Sequence, residues 1–202
     1  GEFQNSLYLI NESASKLLYN DEYFDIFLYY TQDIASSNSL DDFSDSPLHA
    51  FILYVHDKES AKKVVKILDE IELSTYGIFV SQTLDKISLT YDFINKDDAI
   101  KMCYENIEHY GVKELLIKYL KNNNKIDEII RILKDDIKNH IRKDMAYDKL
   151  LDIYDEYGIQ EEKKKILPEV IIETNSFARY KELKDMYSDS EWDSVKEKII
   201  SK

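Results

Sequence analysis

The chain has 202 residues, a net charge of −13 and 44% apolar residues, enough for a sizeable core and unlike a disordered protein. Its four glycines and two prolines are too few for the many tight turns of an all-β protein. Cys103 is the only cysteine, which excludes an internal disulfide and a cysteine-based zinc site. We expect it to be buried and reduced, in a cytoplasmic protein.

The first half of the chain carries most of the negative charge. Residues 1–100 hold 7 Lys and Arg against 18 Asp and Glu, whereas residues 101–202 hold 20 against 22. We therefore divide the chain into an acidic N-terminal helical part, 4–95, and a C-terminal helical-repeat part, 96–202, which could form one continuous solenoid. Residues 1–3 resemble an expression scar, and we expect the chain to be part of a larger protein.

Apolar periodicity predicts helices through the first half of the chain. Helices are expected at about 6–19 and 20–34, followed by a polar loop at 36–46 and a helix that starts at Ser46-Pro47. Asp57 is predicted to cap the next helix, and Asn95 a later one. The residues expected to face inward on these two later helices are Ala61, Val64, Val65, Leu68, Ala99, Cys103 and Ile107.

The second half has clearer helix signals. A helix at 112–120 is expected to stop at the asparagines 122–124, and Pro168 is expected to break a later helix. Ser188 and Glu191 are spaced as a capping box for the last helix. We expect Trp192 to anchor that helix against the preceding one.

Three Tyr-Gly pairs punctuate the chain. Gly77, Gly111 and Gly158 stand 34 and 47 residues apart, and we expect each to end a helix in the left-handed conformation. This spacing is typical of helical-hairpin repeats. The predicted fold is all-α: an irregular, tetratricopeptide-like α-solenoid of about 10–12 helices, with a compact helical bundle as the alternative.

No catalytic, cofactor-binding or metal-ligating constellation is present in the sequence. His49 and His56 are two helical turns apart, too far to share one ion, and we expect all four histidines to be structural. Asp41, Asp42 and Asp45 lack the glycine and glutamate of a calcium loop. Phosphate loops and nucleophile elbows need glycines that the chain lacks. We therefore expect a protein that is not an enzyme and has no cofactor.

Two groups of basic residues stand out. One is a predicted helical stripe that would suit an acidic partner or phosphates, formed by Arg131, Lys134, Lys138 and Arg142. Interleaved aspartates argue against nucleic acid as its partner, and no apolar run is long enough to span a membrane. The other group, Lys163-Lys164-Lys165, follows two glutamates and is predicted to be a solvated face.

The chain contains 16 tyrosines. Eight lie at or beside apolar helical positions: Tyr29, Tyr30, Tyr91, Tyr104, Tyr119, Tyr147, Tyr154 and Tyr180. The main interpretation is packing between helices, because the ring can be buried while the hydroxyl reaches a partner. The second is a concave, tyrosine-lined groove that binds a protein or peptide.

The last ~30 residues carry a pattern of helix-packing side chains, namely Phe177-x-x-Tyr180-x-x-Leu183-Lys184 and then Glu191-Trp192-x-x-Val195-Lys196. With the degenerate hairpins upstream, residues ~112–202 resemble the helical C-terminal region of SWIM zinc-finger proteins. The resemblance implies a helical-repeat segment of a larger protein. The zinc motif of that family (Cys-x-Cys, then Cys-x-His) is absent, so no zinc ligand is implied.

These observations predict a non-enzymatic helical-repeat module for protein–protein interaction. An alternative is a peptide-sensing regulatory domain of a transcriptional regulator, whose DNA-binding part would lie outside this chain. An enzyme with an unfamiliar site is the third hypothesis. The sequence identifies neither the partner-binding residues nor the oligomeric state.

Overall fold

The described residues of the computed structural model are 55–70 and 76–200. Over these ranges the chain is all-helical and contains no strand, which confirms the predicted fold class. Whether the helices form a solenoid or a bundle stays a prediction. The helices expected at 6–19 and 20–34, the loop at 36–46, and Ser46-Pro47 lie outside the described residues.

Nine α-helices run through the described residues. They are α1 Lys58–Glu70, α2 Tyr76–Leu89, α3 Lys96–Glu105, α4 Tyr110–Asn122, α5 Ile126–Lys138, α6 Lys143–Glu156, α7 Gln160–Thr174, α8 Phe177–Asp185 and α9 Asp189–Ile200. A π-helical turn, Thr90–Ile94, follows α2 directly. The chain divides into two compact units, residues 1–119 and 120–202.

Helix starts in the first unit follow the predicted capping. The Asp57 carboxylate accepts a hydrogen bond from the backbone N–H of Ser60 at 2.8 Å, and the Asn95 side chain accepts from the N–H groups of Asp97 and Asp98. The Ser60 backbone bond, followed by its hydroxyl, lowers the pKa of Asp57. Each cap satisfies backbone donors that the first helical turn leaves free.

The core of the first unit contains most of the predicted inward-facing residues. Ala61, Val64, Leu68, Ala99 and Cys103 are buried. The π-helical turn carries Tyr91, whose ring stacks on Tyr119 with centroids 3.6 Å apart. Burial raises the pKa of the Cys103 thiol to about 11, so it stays protonated at neutral pH, and buried cysteines of this kind are inert.

Two of the three predicted glycine stops are wrong. Gly77 and Gly111 are each the second residue of a helix, α2 and α4. A Cβ on Gly111 would lie 3.2 Å from a methyl group of Leu84, so this glycine lets α4 approach α2 closely. Gly158 does follow the end of α6 with φ +66°, as predicted.

In the second unit, α5 packs on α6, α6 on α7, and α7 on α8. The predicted break at Pro168 is wrong, because α7 continues through it to Thr174. Proline removes one backbone N–H, and packing of Leu167, Val170 and Ile171 into the core holds the helix together across that gap. Trp192 is buried, and its ring meets Tyr180 edge-on at 5.2 Å, which confirms its predicted place.

Candidate functional site

Large apolar side chains are exposed at one end of the second unit. In the described part of the chain these are Ile141 (47% exposed), Met145 (42%), Ile172 (39%) and Phe177 (78%). They fall in two short stretches, 141–145 and 172–177. Such a concentration differs from scattered exposed apolar residues, which need no explanation.

Contacts between α6 and α7 bring these two stretches together. The Lys143 ammonium lies 2.8 Å from the Glu173 carboxylate, and the Tyr147 hydroxyl donates to Glu169 at 2.5 Å. Farther along α6, Asp155 meets Lys163 near the start of α7. The helices are therefore antiparallel, and the first turn of α6 lies beside the last turn of α7. We call Ile141, Met145, Ile172 and Phe177 the apolar end.

A pocket of about 480 Å³ opens at the apolar end. Its lining residues are His140, Arg142, Lys143, Asp144, Met145 and Glu173. This volume lies within the range of ligand pockets, but the lining is mostly charged rather than apolar. The pocket could therefore receive one or two side chains of a bound chain, with their polar neighbours contacting its rim.

Residues of the corner between α5 and α6 line part of the pocket. His140 and Arg142 have φ values of 57° and 43°, a left-handed conformation that costs non-glycine residues about 1–2 kcal/mol each. The N–H of Ile141 donates to the carbonyl of Asp136 at 2.9 Å, which closes the end of α5. This bond and the corner leave the Ile141 side chain exposed.

Lys143, which lines the pocket, and Tyr147 stabilise the α6–α7 pair. The Lys143 ammonium lies 5.6 Å from the centre of the Tyr147 ring, while that ring is fully buried. Burial, and then the hydrogen bond to Glu169, raise the pKa of Tyr147, so its hydroxyl remains a donor at neutral pH. These contacts hold together the two helices that carry Met145 and Glu173.

The four residues of the predicted basic stripe do not lie on one helix. Helix α5 ends at Lys138, and Arg142 lies beyond the corner, in the wall of the pocket. Lys134 is paired with Glu162 at 3.5 Å. The predicted stripe runs across a helix end that no glycine or proline marks, since His140 takes the left-handed position.

The prediction of a solvated lysine face is wrong for Lys163. Its side chain is 6% exposed and bonded to Asp155 at 2.5 Å and to Glu182. Position 163 shares the inward stripe of α7 with Leu167 and Val170, so the lysine is buried and needs these two carboxylates. Lys164 lies 3.6 Å above the ring of Tyr187, and only Lys165 is largely exposed.

The tyrosines that the sequence singled out mostly pack inside the protein. Tyr91, Tyr119, Tyr147 and Tyr154 are buried, which favours the packing interpretation for these four. Burial raises the pKa of Tyr119 to about 12. No tyrosine is among the pocket residues, and Tyr29 and Tyr30 lie outside the described residues.

The histidines occupy separate places. His109 is buried with Nε2 3.4 Å from Glu108, His56 lies beside Asp57, and His140 lines the pocket. His49 and the aspartates at 41, 42 and 45 lie outside the described residues. Within residues 55–70 and 76–200, no three His, Cys, Asp or Glu side chains are grouped so that they could hold a metal ion.

Searches against protein-family models, curated proteins and solved structures give no match for this chain. The resemblance to the SWIM-protein helical region therefore stays a prediction. In the part of the chain that the structure describes, no helix is both long and apolar enough to cross a membrane.

Sequence reasoning missed the residues of the apolar end. Phe177 belongs to the predicted pattern of helix-packing side chains, yet it is the most exposed large apolar residue described, while Leu183 of the same pattern is buried. One signal was present in the sequence: Val170, Ile171 and Ile172 are three consecutive apolar residues, and three successive side chains span about 200° of a helix, so they cannot all face the core. Ile171 is buried and Ile172 is exposed.

Proposed function

We propose that this chain is a non-enzymatic helical-repeat module that binds a segment of another protein through its apolar end. The observation that carries the proposal is that all four exposed large apolar residues that the structure describes fall in two stretches, 141–145 and 172–177, which the Lys143–Glu173 ion pair brings together beside a pocket that Met145 lines. Contiguous apolar surface rimmed by charged groups is typical of protein-binding sites. A cytoplasmic location, with Cys103 buried and reduced, belongs to the same proposal.

The packing of the Phe177 ring supports a binding role. Phe177 stacks on Tyr180 with ring centroids 6.1 Å apart, and Tyr180 in turn meets the buried Trp192. A partner would therefore contact an aromatic side chain that is held in place before binding. Preorganised aromatic residues lose little conformational entropy on binding, and they are frequent among energetic hot spots.

The proposal is tested by affinity capture from a lysate of the source cells with three matched baits. These are the wild type, a variant with Met145→Ser and Phe177→Ser, and a control with Lys101→Ser and Lys118→Ser. All four positions are exposed, so each bait is expected to fold, which circular dichroism checks.

We expect one or more proteins to be recovered with the wild type and the control and to be lost with the apolar-end variant. Equal recovery with all three baits would place binding elsewhere on the chain. Recovery with none of them would contradict the proposal.

A further inference from the structure

Acidic side chains flank the exposed apolar residues of α6 and α7. Ile172 lies three positions after Glu169 and directly before Glu173, and residues three positions apart are neighbours on a helix surface. On α6, Met145 directly follows Asp144. The three acidic residues are exposed, and two of them, Asp144 and Glu173, line the pocket together with Met145. Negative charge therefore borders the apolar end on both helices.

Folding brings these three carboxylates close to one hydroxyl group. Glu169 accepts a hydrogen bond from the Tyr147 hydroxyl at 2.5 Å, and Glu173 pairs with Lys143, one turn before Tyr147 on α6. Burial first, and then Glu169, Glu173 and Asp144, raise the pKa of Tyr147, so all three negative charges lie near its hydroxyl. We call Asp144, Glu169 and Glu173 the acidic rim.

The cations near the acidic rim offset only part of its charge. Lys143 pairs with Glu173, but the lysine side chain is 16% exposed and the glutamate side chain 41%, so a partner would meet mainly the carboxylate. Glu169 bonds to a neutral hydroxyl, which cancels none of its charge. Arg142, also in the pocket lining, already has an interaction within the chain. Even with Lys143 and Arg142 counted as full positive charges, and His140 as neutral, the three carboxylates leave a negative excess.

The charge of the whole chain decides between the possible occupants of the apolar end. A chain with a net charge of −13 repels both an anionic membrane and a nucleic acid. A second copy carries the same charge, and the four side chains of the apolar end are far fewer than the roughly 20–30 residues that each partner contributes to a stable interface. A segment rich in Lys and Arg is attracted both by the whole chain and by the acidic rim.

We propose that the occupant of the apolar end is a basic segment of a partner protein, in which Lys or Arg side chains are interspersed with large apolar ones. Its apolar side chains contact Ile141, Met145 and Ile172, and its cationic side chains contact the acidic rim. This inference rests on the proposed function and specifies the chemistry of the partner. Apolar contacts supply most of the affinity, and the charges supply selectivity and a dependence on salt.

The test is selection from a displayed library of random peptides of about 15 residues, with the whole chain as bait. Binders of the Met145→Ser, Phe177→Ser variant are removed first. Because this variant keeps the net charge of −13, peptides that are held by charge alone are removed in the same step. We expect the enriched peptides to combine large apolar residues with Lys or Arg. The affinity of the best peptide is then measured by fluorescence anisotropy at low and high salt.

A charge variant isolates the role of the acidic rim. Asp144→Asn with Glu169→Gln removes two negative charges, and the glutamine carbonyl can still accept the Tyr147 hydroxyl. We expect the affinity to fall about tenfold, with a weaker dependence on salt. The control, Asp127→Asn with Glu161→Gln, removes the same charge from exposed positions in the first turns of α5 and α7, at the ends remote from the pocket. It is expected to bind like the wild type.

The outcomes separate this inference from the proposed function. Enrichment of apolar peptides with no excess of Lys and Arg, or an equal loss of affinity in the two charge variants, would overturn the inference and leave the proposed function standing. No enrichment over the Met145→Ser, Phe177→Ser variant would contradict both. Binding to anionic vesicles in place of peptides, or a dimer in sedimentation that Phe177→Ser abolishes, would replace the basic segment with a membrane or a second copy of the chain.

Discussion

The Trp192 side chain anchors the last described helix to the preceding helix and turn. It is 6% exposed and contacts Tyr180 and Tyr187 of the preceding helix and turn. Trp192→Ala should lower the free energy of unfolding by about 3–5 kcal/mol, because the buried ring would leave a cavity. Urea unfolding followed by circular dichroism measures the change.

The control for this substitution is Trp192→Phe, which keeps an aromatic ring in contact with Tyr180 and should cost much less. A loss below about 1 kcal/mol for Trp192→Ala would mean that the ring contributes little packing, contrary to its burial.

At the scale of single residues, the sequence predicts the contacts that a residue makes with its near neighbours along the chain. Ser188 and Glu191 form one half of the expected capping box: the Ser188 N–H donates to the Glu191 carboxylate at 3.1 Å, and the Ser188 hydroxyl also donates to that carboxylate at 2.6 Å. The role of Gly111 cannot be predicted from such local contacts. Its role is set by Leu84 of another helix, and that distance exists only in the folded chain.

At the scale of helices, an ion network centred on Lys163 joins α6, α7 and α8. Lys163 bonds to Asp155 and Glu182, and Arg179 bonds to Glu182 at 3.0 Å and to Asp148 at 3.2 Å. The network fixes α8 on the α6–α7 pair. Phe177 begins α8, so the same network holds one residue of the apolar end in place.

Lys163→Met should destabilise the second unit by about 1.5–3 kcal/mol, because two carboxylates lose their charged hydrogen-bond partner. The fluorescence of Trp192 reports on this unit selectively, since it is the only tryptophan. Lys165→Met is the matched control. Its ammonium is exposed and pairs only at the surface, so no measurable change is expected. Equal effects of the two substitutions would rule out a special role for the buried lysine.

The network also predicts a dependence of stability on pH. Burial alone would raise the pKa values of Asp155 and Glu182, but the hydrogen bonds and positive charges around them, those of Lys163 first, together outweigh burial, so both pKa values are lowered. Their stabilisation is therefore complete above their unfolded-state pKa values of about 4 and is lost as the pH falls further. Burial alone would lower the pKa of Lys163, but these bonds raise it. Its contribution therefore persists to about pH 10.

Unfolding midpoints of the wild type and Lys163→Met, measured at pH 7, 5 and 3, test this dependence. We expect the difference between the two proteins to be constant from pH 7 to 5 and to shrink at pH 3. A difference that stays constant down to pH 3 would show that the carboxylates do not contribute through Lys163.

Helix α7 also shows the limit of prediction at this scale. Pro168 and the run of three lysines suggested a break and a solvated face. Both patterns were outweighed by packing, which keeps the helix continuous and places Lys163 between two carboxylates. The carboxylates that pair with Lys163 are Asp155 and Glu182, which lie 8 and 19 positions away in sequence on other helices. Periodicity within one helix cannot reveal these pairings.

At the scale of the whole molecule, the sequence predicted the all-helical class and most helices of the described residues, because amphipathic periodicity recurs along the chain. It did not predict the candidate site. The apolar end depends on an antiparallel pairing that brings residues 141–145 beside residue 173, and on a left-handed corner at His140 that no glycine marks.

The most direct test of the central claim is site-specific photo-cross-linking in the source cells. Phe177, Met145 or, as a control, the exposed Lys118 is replaced one at a time by p-benzoyl-phenylalanine. We expect an adduct of the same mass from positions 177 and 145 and none from position 118. Adducts that form equally at position 118, or at none of the three, would contradict it.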